Sequence, residues 1–113
     1  MAKRSEFVNY LLEIFEPLGP VSARAMFGGY GIYIDKVMFA LVADDELYLK
    51  VDDLNKTRFT DAGLEAFTYL KQGKPFKMSY FQAPADAMEE PEEMREWARS
   101  AIDAALRAAA KKR

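Results

Sequence analysis

The chain has 113 residues, half of them apolar and 13% aromatic, with a formal net charge of −2 and a pI near 5.2. That length supports one core and one domain. The absence of Cys and His excludes disulfides, Cys/His zinc sites, thiol nucleophiles, Ser-His-Asp triads and imidazole proton shuttles.

No apolar run reaches the ~20 residues that span a bilayer, and the opening Met1-Ala2-Lys3-Arg4 leads into a charged amphipathic pattern unlike a signal-peptide core. A cytoplasmic protein is expected. Phe7, Tyr10, Leu11, Ile14, Phe15 and Leu18 recur at helical spacing opposite Glu6, Asn9, Glu13 and Glu16, which predicts a first helix of about three turns. Ser5 is its candidate N-cap, and Pro17, Gly19 and Pro20 stop it. From Arg24 to Val51, apolar runs are separated by polar turns around Asp35-Lys36 and Asp44-Asp45. Turns that short cannot carry a parallel crossover. The runs containing Ala25 to Phe27, Ile32 to Ile34, Val37 to Val42 and Leu47 to Val51 are therefore expected to pair antiparallel, with Ile32 and Ile34 on one face and Tyr33 on the other.

Asp52 or Asp53 can cap a short helix through about Ala62, with Leu54 and Phe59 as its apolar side and Gly63 as its stop. Phe67 to Leu70 and Phe76 to Phe81 predict a hairpin around Gln72-Gly73-Lys74, ended by Pro84. Pro91, Glu92 and Glu93 open the last helix, and Arg107, Lys111 and Lys112 suit its C-terminal dipole. Its apolar stripe is Met94, Trp97, Ala98, Ala101, Ile102, Ala105 and Leu106. These elements assemble most economically as an α+β two-layer sandwich, an antiparallel sheet of five to six strands with the long N- and C-terminal helices on one face. Tyr30, Tyr33, Tyr48 and Tyr69 are expected to cover the other face.

Few residues point to chemistry. Gly28-Gly29-Tyr30-Gly31 is the single Gly-rich loop, but a strand follows it where a phosphate cradle needs a helix, so a turn or bulge using glycine backbone angles is the better reading. Asp44-Asp45-Glu46, Asp52-Asp53 and Glu89 to Glu93 lack the alternating ligands and glycine of a calcium loop. Ser79 with Lys77 or Lys74 lacks an oxyanion motif. Lys71, Lys74 and Lys77, like the tail Lys111-Lys112-Arg113, read as solvated surface. No catalytic, metal or cofactor residue is nominated. Arg24 draws more interest, because its guanidinium at the start of a strand can meet a carboxylate of this chain or of a partner. With Met26, Phe27, Tyr30 and Tyr33 it makes the candidate binding set. The alternatives are a small-ligand pocket or minor active site between sheet and helices, lined by Met26, Phe27, Tyr30 and Tyr80, and self-association through an edge strand.

Leu18-Gly19-Pro20-Val21, Arg24 to Gly31, Val37 to Val42 and Leu47 to Asp52, followed by Pro75, Met78-Ser79-Tyr80 and Trp97-Ala98, together resemble the N-terminal domain of the TfoX/Sxy family over nearly the whole chain. The resemblance implies a two-layer α+β domain similar to the type III secretion chaperone fold. It also implies regulators of natural-competence genes, which act with the cyclic-AMP receptor protein at promoters and are not enzymes. Such members carry a second, helical DNA-binding-like domain, and residues 1–113 are expected to form the N-terminal-like domain alone. The expected function is a non-enzymatic regulatory or protein-interaction domain linked to transcription. Its expected partner is a protein, with a transcription factor as first candidate. No cofactor, direct nucleic-acid contact or membrane contact is expected, and the chain should be a monomer or homodimer.

Overall fold

Helix α1 (Glu6–Phe15) buries Val8, Leu11, Ile14 and Phe15, a stripe rotated slightly from the one its spacing suggests. Tyr10, expected inside, is 41% exposed; its hydroxyl needs a polar partner and finds one by donating to the Met88 carbonyl at 2.6 Å. Pro17 sits in a single 3-10 turn, Glu16–Leu18, and Gly19 at φ 142° releases the chain toward the sheet. The computed structural model describes residues 6–26 and 29–111, and of Leu70 and Lys71 the backbone alone. The Ser5 cap therefore lies outside the described residues.

Six strands follow: β1 (Val21–Met26), β2 (Gly29–Ile34), β3 (Val37–Ala43), β4 (Glu46–Lys50), β5 (Ala66–Lys71) and β6 (Lys74–Gln82). They form one antiparallel sheet in the order β1-β2-β3-β4-β6-β5. The two-residue turns Asp35-Lys36, Asp44-Asp45 and Gln72-Gly73 all hold both central residues at positive φ. That geometry matches the twist of the paired strands, and Asp and Gly reach it at low cost. After β4 the chain makes α2 (Lys56–Asp61), crosses to the far edge as β5 and returns as β6 beside β4.

Strand alternation divides the sheet. Ala23, Ile32, Ala40, Leu49 and Phe81 stand in one cross-strand row and belong to or pack on the core under the helices. Phe39 is the extra residue where the β2–β3 register shifts. This bulge lets it join Ala40 in that core and meet Phe15 edge-on at 5.6 Å. Helix α3 (Pro91–Lys111) lays Met94, Trp97, Ala98, Ala101, Ile102 and Ala105 on the same core. Leu106, expected in the stripe, is 47% exposed, and Ala104 is buried. Among the described residues no helix is long and apolar enough to cross a membrane.

Two polar residues tie α3 to the start of α2. Buried Asn55 accepts the Asp52 N–H through Oδ1 at 2.7 Å and donates through Nδ2 to the carbonyls of Lys50 and Ser100. Asp52 Oδ1 in turn accepts the Leu54 and Asn55 N–H groups. It thus caps the turn before α2, while Asn55, at the N-cap position of the helix itself, makes no side-chain cap. Arg107 does not serve the helix terminus, as its position suggested, but forks onto Asp52 with Nε at 2.6 Å and Nη2 at 2.9 Å.

That fork, with the two backbone donors, lowers the Asp52 pKa from 3.8 to about 2, the Arg107 hydrogen bond being the largest cause. A carboxylate depressed in the folded state stabilises it fully above its ordinary pKa, and the contribution is lost as pH falls through the folded value. Arg107→Gln is therefore expected to lower Tm near pH 5 and to converge on the native Tm as pH falls from about 4 to about 2. The effect is modest because both side chains are partly exposed, 38% and 26%. Parallel Tm-versus-pH curves for the two proteins would contradict it.

Candidate functional site

The sheet face away from the helices carries a second row, Arg24, Gly31, Leu41, Tyr48 and Gln82, across the same five strands. Met26, Tyr33, Met38, Lys50 and Tyr80 share that face by alternation. Its centre is covered even though no helix lies on it: Leu41 is 6% and Tyr80 7% exposed. The cover comes from the sheet. Between the pairs Ala66–Phe81 and Thr68–Lys77, three residues of β6 stand opposite Phe67 alone. Such extra residues bend a strand and tighten its twist. Met26 at one sheet edge and Phe67 and Tyr69 at the other consequently line a single cavity of about 500 Å³, with Leu41, Val42, Ala43 and Met78 between them.

Aromatic packing holds the β5–β6 arm of this concavity. Tyr48 meets Phe67 edge-on at 4.8 Å, Phe67 stacks on Tyr69 at 6.3 Å, and Tyr69 stacks on Phe76 at 6.0 Å. Gly31 has a packing role here: a Cβ at that position would lie 2.8 Å from the sulfurs of both Met26 and Met38. The chain does reverse here, since Met26 pairs with Gly29, but Gly29 and Gly31 are not part of that turn. Gly29 and Gly31 lie inside β2 and neither has positive φ. What they supply is close approach, while Gly28 lies outside the described residues.

The candidate binding residues divide. Arg24, Met26 and Tyr33 do come together on the open face, and the exposed Arg24 guanidinium stands 5.4 Å from the centre of the Tyr33 ring. The carboxylate partner considered for Arg24 is not found, since the ion pair recorded among the described residues joins Arg107 to Asp52. Tyr30 borders the cavity, but it packs on the helix-side core and does not cover the open face. Phe27 lies outside the described residues. The cavity is also not between sheet and helices. Beneath α1 and α3 that space is filled by the core, a wider and more open cleft of about 800 Å³ lies between α2 and the β5–β6 arm, and Tyr80, expected to line a pocket between sheet and helices, is on the open face.

The open face offers little reactive chemistry. Burial pushes the Tyr80 hydroxyl up to about 12, and it donates to the Met38 carbonyl at 3.4 Å. Burial and then Glu46, which accepts its hydrogen bond at 3.1 Å, raise Tyr48. Ser79 is paired with Lys50, not with Lys74 or Lys77: Lys50 Nζ donates to Ser79 Oγ at 2.6 Å and lies 5.1 Å from the centre of the Tyr80 ring.

Leu41, Phe67 and Met78 were not singled out from the sequence. A signal for Leu41 was available: Phe39-Ala40-Leu41-Val42 is a continuous apolar run, the pattern of a strand covered on both faces.

Comparison with known proteins decides the family. The family model for the TfoX N-terminal domain matches residues 13–105, which take in all six strands and every residue lining the cavity. The chain belongs to that family. It is 33% identical over 75 residues to DNA transformation protein TfoX1 of Aliivibrio fischeri, covering 66% of this chain and 34% of that protein. It is 26% identical over 95 residues to protein Sxy of Escherichia coli, covering 84% and 46%, and 29% identical over 85 residues to DNA transformation protein TfoX of Haemophilus influenzae, covering 74% and 39%. The chain thus matches less than half the length of each of these relatives. In this TfoX N-terminal domain, the Arg24–Tyr33 pair and the concave aromatic face both lie within the matched region.

Proposed function

We propose that the chain is a non-enzymatic regulatory module that works in the cytoplasm and influences gene expression through a protein partner, a transcription factor. Family membership and relatives named as DNA transformation proteins support a link to competence regulation. The observation that carries the protein-binding reading is Arg24 stacked with Tyr33 on an exposed face beside edge strand β1. Arg and Tyr are the residue types that dominate interface hot spots, and a free strand edge offers main-chain groups to a partner. The net negative charge supports promoter contact through that partner and not through this chain.

The test is affinity capture by the tagged chain from lysate of its own cells, with purified cyclic-AMP receptor protein as a defined second probe. Arg24→Ala with Tyr33→Ala is expected to leave Tm within about 2 °C and to reduce capture of the transcription factor by about tenfold or more. Equal retention by the double variant, or no transcription factor held by the native chain, overturns the reading.

A further inference from the structure

We infer that the concave face of the sheet is a binding site for a small, uncharged and largely apolar molecule. The inference does not rest on the regulatory reading above, because it concerns the trough beyond Met26 and not the Arg24–Tyr33 rim. A volume of about 500 Å³ falls among those of small-molecule sites, roughly 300–1,000 Å³. The lining comes from β1, β2, β3, β5 and β6, so the shape is held by a hydrogen-bonded scaffold and exists before a ligand arrives.

The wall chemistry defines the ligand. Met26, Leu41, Phe67, Tyr69 and Met78 supply mainly carbon and sulfur, and no Asp, Glu, Lys or Arg lines the cavity among the described residues. An ionised group placed there would lose its hydration without gaining a counter-charge, which excludes carboxylates and amines from the trough itself. An alkyl chain or a neutral aromatic ring loses nothing of the kind, and gains from burial against Leu41 and from sulfur and ring contacts. Thioether side chains also adapt to irregular apolar shapes, and Gly31 leaves room for Met26 and Met38 to do so.

The methionines provide the test. Met26, Met38 and Met78 are on the open face, whereas Met88 and Met94 pack with the helix-side core. The full chain, labelled with 13C at the methionine methyls, is titrated with 1-decanol and with N-phenyl-1-naphthylamine as neutral probes, and with decanoate as the charged counterpart of decanol. Saturable shifts at Met26 and Met78, with Met88 and Met94 unmoved, are expected for both neutral probes. Decanoate at a pH where it is ionised should bind at least about tenfold more weakly. Ala43→Phe, which fills the trough from β3, should weaken the neutral probes by about tenfold or more without moving the Met88 and Met94 signals. Met78→Gln, close in size but polar, serves the same purpose if Ala43→Phe does not fold. The inference is overturned by an absence of saturable shifts, by shifts centred on Met88 or Met94, by equal binding of decanoate and decanol, or by native affinity in the folded variant. Loss of the Arg24–Tyr33 partner would leave this result untouched, so the two readings fail separately.

Discussion

Phe59→Ala is expected to be among the most destabilising single changes in this protein, lowering stability by about 3–5 kcal/mol and Tm by something on the order of 15 °C. Phe59 is completely buried, although α2 has only six residues and no side-chain cap. A helix that short has little stability of its own, so its position depends on what its one buried side chain touches. The ring meets Trp97 of α3 at 5.0 Å and Phe81 of β6 at 6.1 Å, both edge-on. Removing it leaves a cavity where α2, α3 and the sheet converge. Trp97, the single tryptophan, reports directly: its emission should shift to the red in the folded variant as water reaches the face Phe59 covered. A Tm loss below about 5 °C, with unchanged emission, would mean that Arg58, whose guanidinium lies 4.2 Å from the centre of the Trp97 ring, holds α2 without its neighbour.

Gly29→Ala should have an effect of similar size for the opposite reason, overfilling. A Cβ on Gly29 would overlap the Val42 carbonyl oxygen and lie 3.2 Å from its carbon. These are backbone atoms of the neighbouring strand, so the strain cannot be relieved by a side-chain rotation and β2 must separate from β3. A cost of about 3 kcal/mol or more is expected, visible as a lower denaturant midpoint. Gly31→Ala is the informative contrast. Its new methyl would meet the sulfur ends of Met26 and Met38 and one edge of Tyr33, and flexible thioethers can swing aside, so about 1 kcal/mol is expected. Equal losses at the two glycines would contradict the distinction between backbone approach and side-chain room.

Much of the architecture was legible residue by residue. The short polar turns at Asp35-Lys36 and Asp44-Asp45 required antiparallel pairing, and the helical stripe from Met94 to Ala105 required a face to lie on. Where the sequence misled, the cause was local phase. Treating Gly28 to Gly31 as a turn reset the alternation and put Tyr30 beside Tyr33, whereas a strand running from Gly29 to Ile34 sends them to opposite faces. Likewise Val8 and Tyr10 are both compatible with a helix face, and the phenol's hydrogen bond to Met88, 78 residues away, decided between them.

The sequence by itself determined the antiparallel sheet, the helices on one side and the family, because turn length, periodicity and motif order are properties of neighbouring residues. Only the tertiary structure decided that Asp52 holds Arg107, 55 residues distant, and that the open face is a cavity and not a flat aromatic surface. Both depend on how far strands curl and helices cross. Curl is the accumulated result of twist and bulges over six strands, a sum that no single segment of sequence contains.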